Sequence, residues 1–133
     1  MSKSIFLKII LLLGMIFLHI IDDFHLQGMF KELKQKIWWE NNAPDDKYKN
    51  DYIMALFEHA FSWTFSISII PAIYIYLYHE TNHMLMFIIA FILNWIIHAI
   101  IDDYKANELR LNLIQDQLCH LCQIIGTWII FIL

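Results

Sequence analysis

His19 and Asp23, His98 and Asp102, and Asp116 and His120 are three histidine–aspartate pairs, each spaced i,i+4. On a helix such a pair leaves one face with an axial separation of ~6 Å, so both side chains can address a single ion. His59, with Glu58 beside it, adds a fourth segment to the set. Imidazole nitrogen with carboxylate oxygen is the donor set of Zn²⁺, Mn²⁺ and Fe²⁺, and two cysteines are too few for a zinc held by four thiolates. The expected ligands are therefore His19, Asp23, His59, His98, Asp102, Asp116 and His120, for one or two divalent ions. Two ions about 3.5–4 Å apart would generate a nucleophile from water and hold a phosphoryl or carbonyl oxygen, with Glu58 as general base.

Other chemistry is poorly served. Cys119 and Cys122 have the C-x-x-C spacing but no following histidine, which excludes haem attachment, and they read as small core residues. His79 and His83 form a further i,i+4 pair around the short loop at the opposite end, a weak secondary metal site at most. His25 falls at the same end as the main cluster and belongs to its surroundings.

The elements that must carry these residues are long and apolar. The chain has 133 residues, 59% hydrophobic and 17% charged, with a mean hydropathy of +0.53, a balance shifted toward a chain whose solvent is lipid. Three glycines and two prolines leave too few turn residues for a β-sandwich or barrel. A net charge of −4 with nine Lys plus Arg offers nothing to a nucleic acid.

Apolar stretches over 5–24, 53–78, 84–101 and 113–133 each have roughly the 17–25 residues a helix needs to cross hydrocarbon. The expected fold is all-α: a single domain, a four-transmembrane-helix bundle. The apolar core of the first stretch follows Lys3 and Lys8 but lacks a small-residue cleavage site, so the stretch reads as an uncleaved span. Pro71 predicts a kink in the second. Between the first two, Leu26, Met29, Phe30, Leu33 and Ile37 recur at helical spacing opposite Lys31, Glu32, Lys34, Gln35 and Lys36. With Trp38 and Trp39 following, residues 26–39 predict one amphipathic helix lying in the headgroup region.

Alternate spans run in opposite directions, so the ends of the first and third and the starts of the second and fourth meet at one level. The polar residues all fall there. Asn94, Gln123, Thr127, Ser62 and Ser66 extend the polar stripes, which should face the interior, because an aspartate at mid-bilayer costs ~2.5–3.5 kcal/mol. Five lysines lie between the first and second spans, and Lys105 and Arg110 between the third and fourth. The positive-inside rule puts these loops in the cytoplasm and both termini outside.

The order H-x-x-x-D-F-x-x-Q at His19, Asp23, Phe24 and Gln27, H-x-x-x-D-x-x-K at His98, Asp102 and Lys105, and D-Q-x-x-H at Asp116, Gln117 and His120 resembles a family of small integral-membrane proteins of bacteria and phages, a domain of unknown function. That resemblance implies no reaction. In style the constellation is also similar to membrane-bound metal-dependent hydrolases, although this chain lacks an adjacent His-Arg motif of theirs.

The residues thus point first to a metal-dependent hydrolase in the lipid bilayer acting on a lipid-like or phosphoester substrate. The rivals are a divalent-cation transporter, since H-x-x-x-D pairs on two spans also look like cation-diffusion transporters, and a noncatalytic membrane effector or assembly protein. Each reading admits a homo-oligomer.

Overall fold

The computed structural model describes residues 3–78 and 83–133. Among them all regular structure is helical and no strand occurs. Helix α1, Lys3–Ile20, passes into a π turn, Ile21–Leu26; the short helices α2, Phe30–Leu33, and α3, Lys36–Asn42, follow. After a 3₁₀ turn at Asp46–Tyr48 come α4, Asp51–Tyr78, α5, Met84–Ala106, and α6, Leu113–Phe131. Helix α4 runs unbroken through the buried Pro71.

Among the described residues, three helical segments are long and apolar enough to cross a membrane: Ser4–Leu26, Asp46–Tyr78 and Met84–Ala106, with mean hydropathies of 2.5, 1.5 and 2.5. Helix α6 is long enough at 19 residues, but Gln115, Asp116, Gln117, His120 and Gln123 make it less apolar than the others. It begins at a capping box. The Asn112 side chain accepts from Gln115 N–H and the Gln115 side chain accepts from Asn112 N–H, both at 3.0 Å, which satisfies two amides that would otherwise lack partners.

The four long helices close a ring: α1 packs on α4 and α6, α5 packs on α4 and α6, and α4 also touches α6. Their inward residues divide into two layers. Met15, Trp63, Ile67, Ile124, Phe131 and Ile132 form an apolar cluster. One helical turn away from Met15, Trp63 and Ile124 lies the second layer, of buried histidine and aspartate. The outside is the reverse of a water-soluble surface: Phe17, Phe61, Phe65, Ile89, Leu93 and Ile130 are all exposed.

The amphipathic segment does not form one helix. Gly28 takes a left-handed φ of +50°, and Gln35 is extended with φ −100° and ψ 125°, so the helical path is interrupted twice. The segment becomes a strap across the ends of α4 and α5. Asn107, just beyond α5, pins it: its Oδ1 accepts from Lys36 N–H at 2.8 Å, and its Nδ2 donates to Lys34 O at 3.0 Å. The expected faces hold only in part: Phe30 and Leu33 are half-buried and Lys31 and Glu32 exposed, as expected. Met29, assigned to the apolar face, is 77% exposed, whereas Lys34, assigned to the polar one, is 7% exposed.

Candidate metal centre

The π turn is where the site begins. A π turn is wider than an α turn and recurs at functional positions in helices, and here it turns two neighbouring residues, Asp22 and Asp23, inward together. Asp22 Oδ2 accepts from the Ser62 and Ser66 hydroxyls of α4, each at 2.8 Å. Asp23 instead faces the other helices. Its Oδ2 accepts from Gln117 Nε2 at 2.7 Å, and its Oδ1 lies 3.5 Å from His59 Nε2.

Helix α5 brings His98 and Asp102, α6 brings Asp116 and His120, and α4 brings His59; each of these five is at most 1% exposed. His120 Nε2 lies 3.3 Å from Asp116 Oδ1 and 3.6 Å from Asp102 Oδ1. His59 Nε2 lies 3.3 Å from Asp102 Oδ2 and 3.5 Å from His98 Nε2. Donors around a tetrahedral ion held at about 2.0–2.1 Å stand about 3.3–3.4 Å apart, so these spacings need little adjustment. Among the described residues, three overlapping sets each have donor atoms within 4.8 Å of one another: Asp23, His98 and His120; His59, His98 and Asp102; and Asp102, Asp116 and His120.

The two carboxylates of α5 and α6 are used asymmetrically. Asp102 Oδ2 binds the Lys34 ammonium at 2.5 Å and Asp116 Oδ2 binds that of Lys105 at 2.6 Å. Their Oδ1 atoms, with both ring nitrogens of His120 and Nδ1 of His98, are buried and make no hydrogen bond among the described residues, although imidazole nitrogens stand 3.3–3.9 Å from both Oδ1 atoms. A buried polar atom without a partner costs about 1–3 kcal/mol and calls for an explanation. Several such atoms, drawn from two helices, meet here.

His19 stands apart from the donor sets. The Trp63 indole donates to its Nδ1 at 2.7 Å, so Nε2 carries the proton and donates to Gln117 Oε1 at 3.0 Å. With both nitrogens engaged it offers no lone pair to an ion. It orients Gln117 instead, whose Nε2 then faces Asp23 and Asp116; such outer partners hold ligands in place. The Trp63 ring stacks on His98 with centroids 4.1 Å apart, walling the site off from the apolar layer.

Glu58 is not brought to the cluster. Adjacent residues of a helix point about 100° apart, and with His59 buried inside the ring Glu58 is exposed on its outer side. His25 is exposed at the margin, and His79 of the second histidine pair lies outside the described residues. Sequence reasoning missed Lys34 and Trp63 as parts of the site. For Lys105 the signal was present, since H-x-x-x-D-x-x-K places it one turn beyond Asp102.

The cluster opens on one side. A cleft of about 780 Å³ runs between the strap and the ends of α5 and α6, with Asp23 and Asp102 at its floor and Lys31, Lys34, Lys105 and Leu109 among its walls. No family model matches the chain, and neither a curated protein nor a solved structure matches it.

Proposed function

We propose that the chain is a four-span membrane bundle in which α1, α4, α5 and α6 cross the bilayer and the strap with Trp38 and Trp39 lies at its surface. The support is the inverted distribution of polarity: Phe, Ile and Leu outward, ionisable groups inward and clustered, as lipid requires. By the lysine count of the loops, the cluster lies toward the cytoplasmic face of a bacterial inner membrane.

Within that bundle we read the cluster as a centre for one divalent ion of zinc, manganese or iron, and the protein as a metal-dependent hydrolase. The observation that carries this is the convergence of buried Asp102 Oδ1, Asp116 Oδ1 and His120 Nε2, none of them hydrogen-bonded, beneath a cleft. Charge sets the number of ions. Asp22, Asp23, Asp102 and Asp116 oppose Lys34 and Lys105, which leaves two negative charges when the imidazoles are neutral. One divalent ion cancels them, whereas two would leave two positive charges in a buried site.

Asp102, Asp116 and His120 would hold the ion, with His98 and His59 adjoining. A divalent ion supplies Lewis acidity and a nucleophile from water at neutral pH. Asp23 belongs both to the donor cluster and to the cleft floor, so it, rather than Glu58, is placed to take the proton from water. Lys34 and Lys105 hold the ligand carboxylates by their outer oxygens and leave the inner ones free.

A second reading, transport of the ion, draws on a polar column beyond the cluster. Asn94 Nδ2 donates to Thr127 Oγ1 at 2.8 Å, and Gln123 Nε2 donates to Asn94 Oδ1 at 3.2 Å. The apolar layer of Met15, Ile67, Ile124 and Phe131 favours hydrolysis, because it closes the same end of the ring. The test is made in proteoliposomes. Hydrolysis of ester or phosphoester amphiphiles, lost in Asp23→Asn while the ion is retained, is the expected result. Ion uptake into the lumen, abolished by Asp102→Asn and unaccompanied by hydrolysis, would replace it with transport.

A further inference from the structure

The cleft above the cluster has a composition of its own. Its floor is acidic, but three lysines from three places line it: Lys31 from α2, Lys34 from the turn after α2, and Lys105 from the end of α5. Two of them are committed to Asp102 and Asp116. Lys31 forms no ion pair among the described residues, and its side chain is exposed at the wall.

The charge of the whole recess follows. Asp22, Asp23, Asp102 and Asp116 outnumber Lys31, Lys34 and Lys105 by one, so the ion-free recess is negative, and one divalent ion makes it positive. A recess of that charge, partly shielded from water, attracts a dianion. A neutral carboxylic ester or amide would gain little from it.

The rim carries the second half of the recognition. Phe24 is 55% exposed, Leu113 54% and Leu109 83%, and all three line the cleft. Leu109 is held in the left-handed region at φ 53°, a conformation that costs a leucine about 1–2 kcal/mol. There the chain turns so that Arg110 N–H donates to Tyr104 O at 2.8 Å, and the leucine side chain stays at the cleft mouth. Such local strain accumulates at ligand-binding positions.

We propose that the cleft receives the phosphate monoester head of an amphiphile, with Lys31 as the residue that reads its charge and Phe24, Leu109 and Leu113 against the start of its apolar tail. This deepens the hydrolase reading and rests on it, since the net attraction appears only with the ion bound. The reaction balances with water alone: the water oxygen bonds to phosphorus, the ester P–O bond breaks, and the alcohol oxygen leaves with the proton.

The test is binding to ion-loaded and chelator-treated protein, with inorganic phosphate as one probe and phosphatidic acid in nanodiscs as another, phosphatidylcholine nanodiscs serving as the control. Ion-loaded wild type is expected to bind phosphatidic acid more tightly than inorganic phosphate and to ignore phosphatidylcholine. Chelation should remove both interactions, and Lys31→Ala should weaken both about tenfold, the loss of one charge-assisted contact. Lys31 is exposed, so the variant keeps the fold.

Ion-loaded protein that binds neither probe, or that binds both equally well with Lys31→Ala, overturns this inference alone. Equal affinity for the two probes overturns the assignment of an amphiphile. Protein that takes up no ion overturns the metal centre and this inference together.

Discussion

Asp102→Asn is expected to lower the affinity for divalent ions by more than about 100-fold, beyond the 10–100-fold typical of losing an outer partner of a metal ligand. Asp102 occupies the middle of the cluster. Its Oδ1 lies 3.6 Å from His120 Nε2 and 3.9 Å from His98 Nε2, while its Oδ2 lies 3.3 Å from His59 Nε2 and holds Lys34. The amide preserves size but removes the negative charge, and it turns one donor position into an N–H group that repels a cation. It also leaves the Lys34 ammonium without its partner, so the ion would face an unbalanced positive charge.

Titration calorimetry on detergent-solubilised protein reads the affinity, and near-ultraviolet circular dichroism shows whether the aromatic core around Trp63 is retained. Asp116→Asn serves as the companion variant, because its lysine partner is less buried, with a side chain 32% exposed. Undiminished affinity in both folded variants would remove the carboxylates from the account.

The second large effect concerns Lys34. Lys34→Met deletes a cation whose side chain is 9% exposed, opposite a carboxylate 2% exposed. Breaking a buried pair in this way typically costs about 3–5 kcal/mol, because the remaining charge has no partner. In this site a divalent ion can supply the missing positive charge. The ion-free variant is therefore expected to unfold well below the ion-free wild type, and saturating metal should raise its unfolding midpoint more than it raises that of wild type. Parallel thermal scans of both proteins, with and without metal, measure this. A deficit of equal size under both conditions would mean that Lys34 balances the cluster by itself and that no ion shares its charge.

Both effects start from features of unequal visibility in the sequence. The pairs His98 with Asp102 and Asp116 with His120 were legible, because helical periodicity alone aligns positions four apart. The common level of all the polar residues was legible from the alternating direction of successive helices. Helix α4 was legible through Pro71, since an apolar run of that length has no other use.

The strap was not legible. Its apolar spacing suggested a continuous helix, but Gly28 and Gln35 break the path and Asn107 supplies the hydrogen bonds that hold the broken form. Nothing local marks Lys34 as buried, since its partner lies on a helix 68 residues further along. His19 shows a related limit. Its spacing to Asp23 matches that of the ligand pairs, yet the Trp63 indole, 44 residues away, claims one nitrogen and so decides what the other can do. Glu58 was a choice between neighbours, and one helical step separates an interior residue from an outward one.

The central claim is a single divalent ion held by imidazole and carboxylate. Its most direct measurement combines plasma mass spectrometry of the purified protein, dialysed against a mild chelator, with X-ray absorption at the edge of whatever metal is retained. The account predicts one ion per chain, a shell of nitrogen and oxygen donors with at least one imidazole, and loss of the ion in a His98→Ala, His120→Ala double variant that remains folded. A folded wild type that retains no ion, two ions per chain, or an ion kept by the double variant would contradict it.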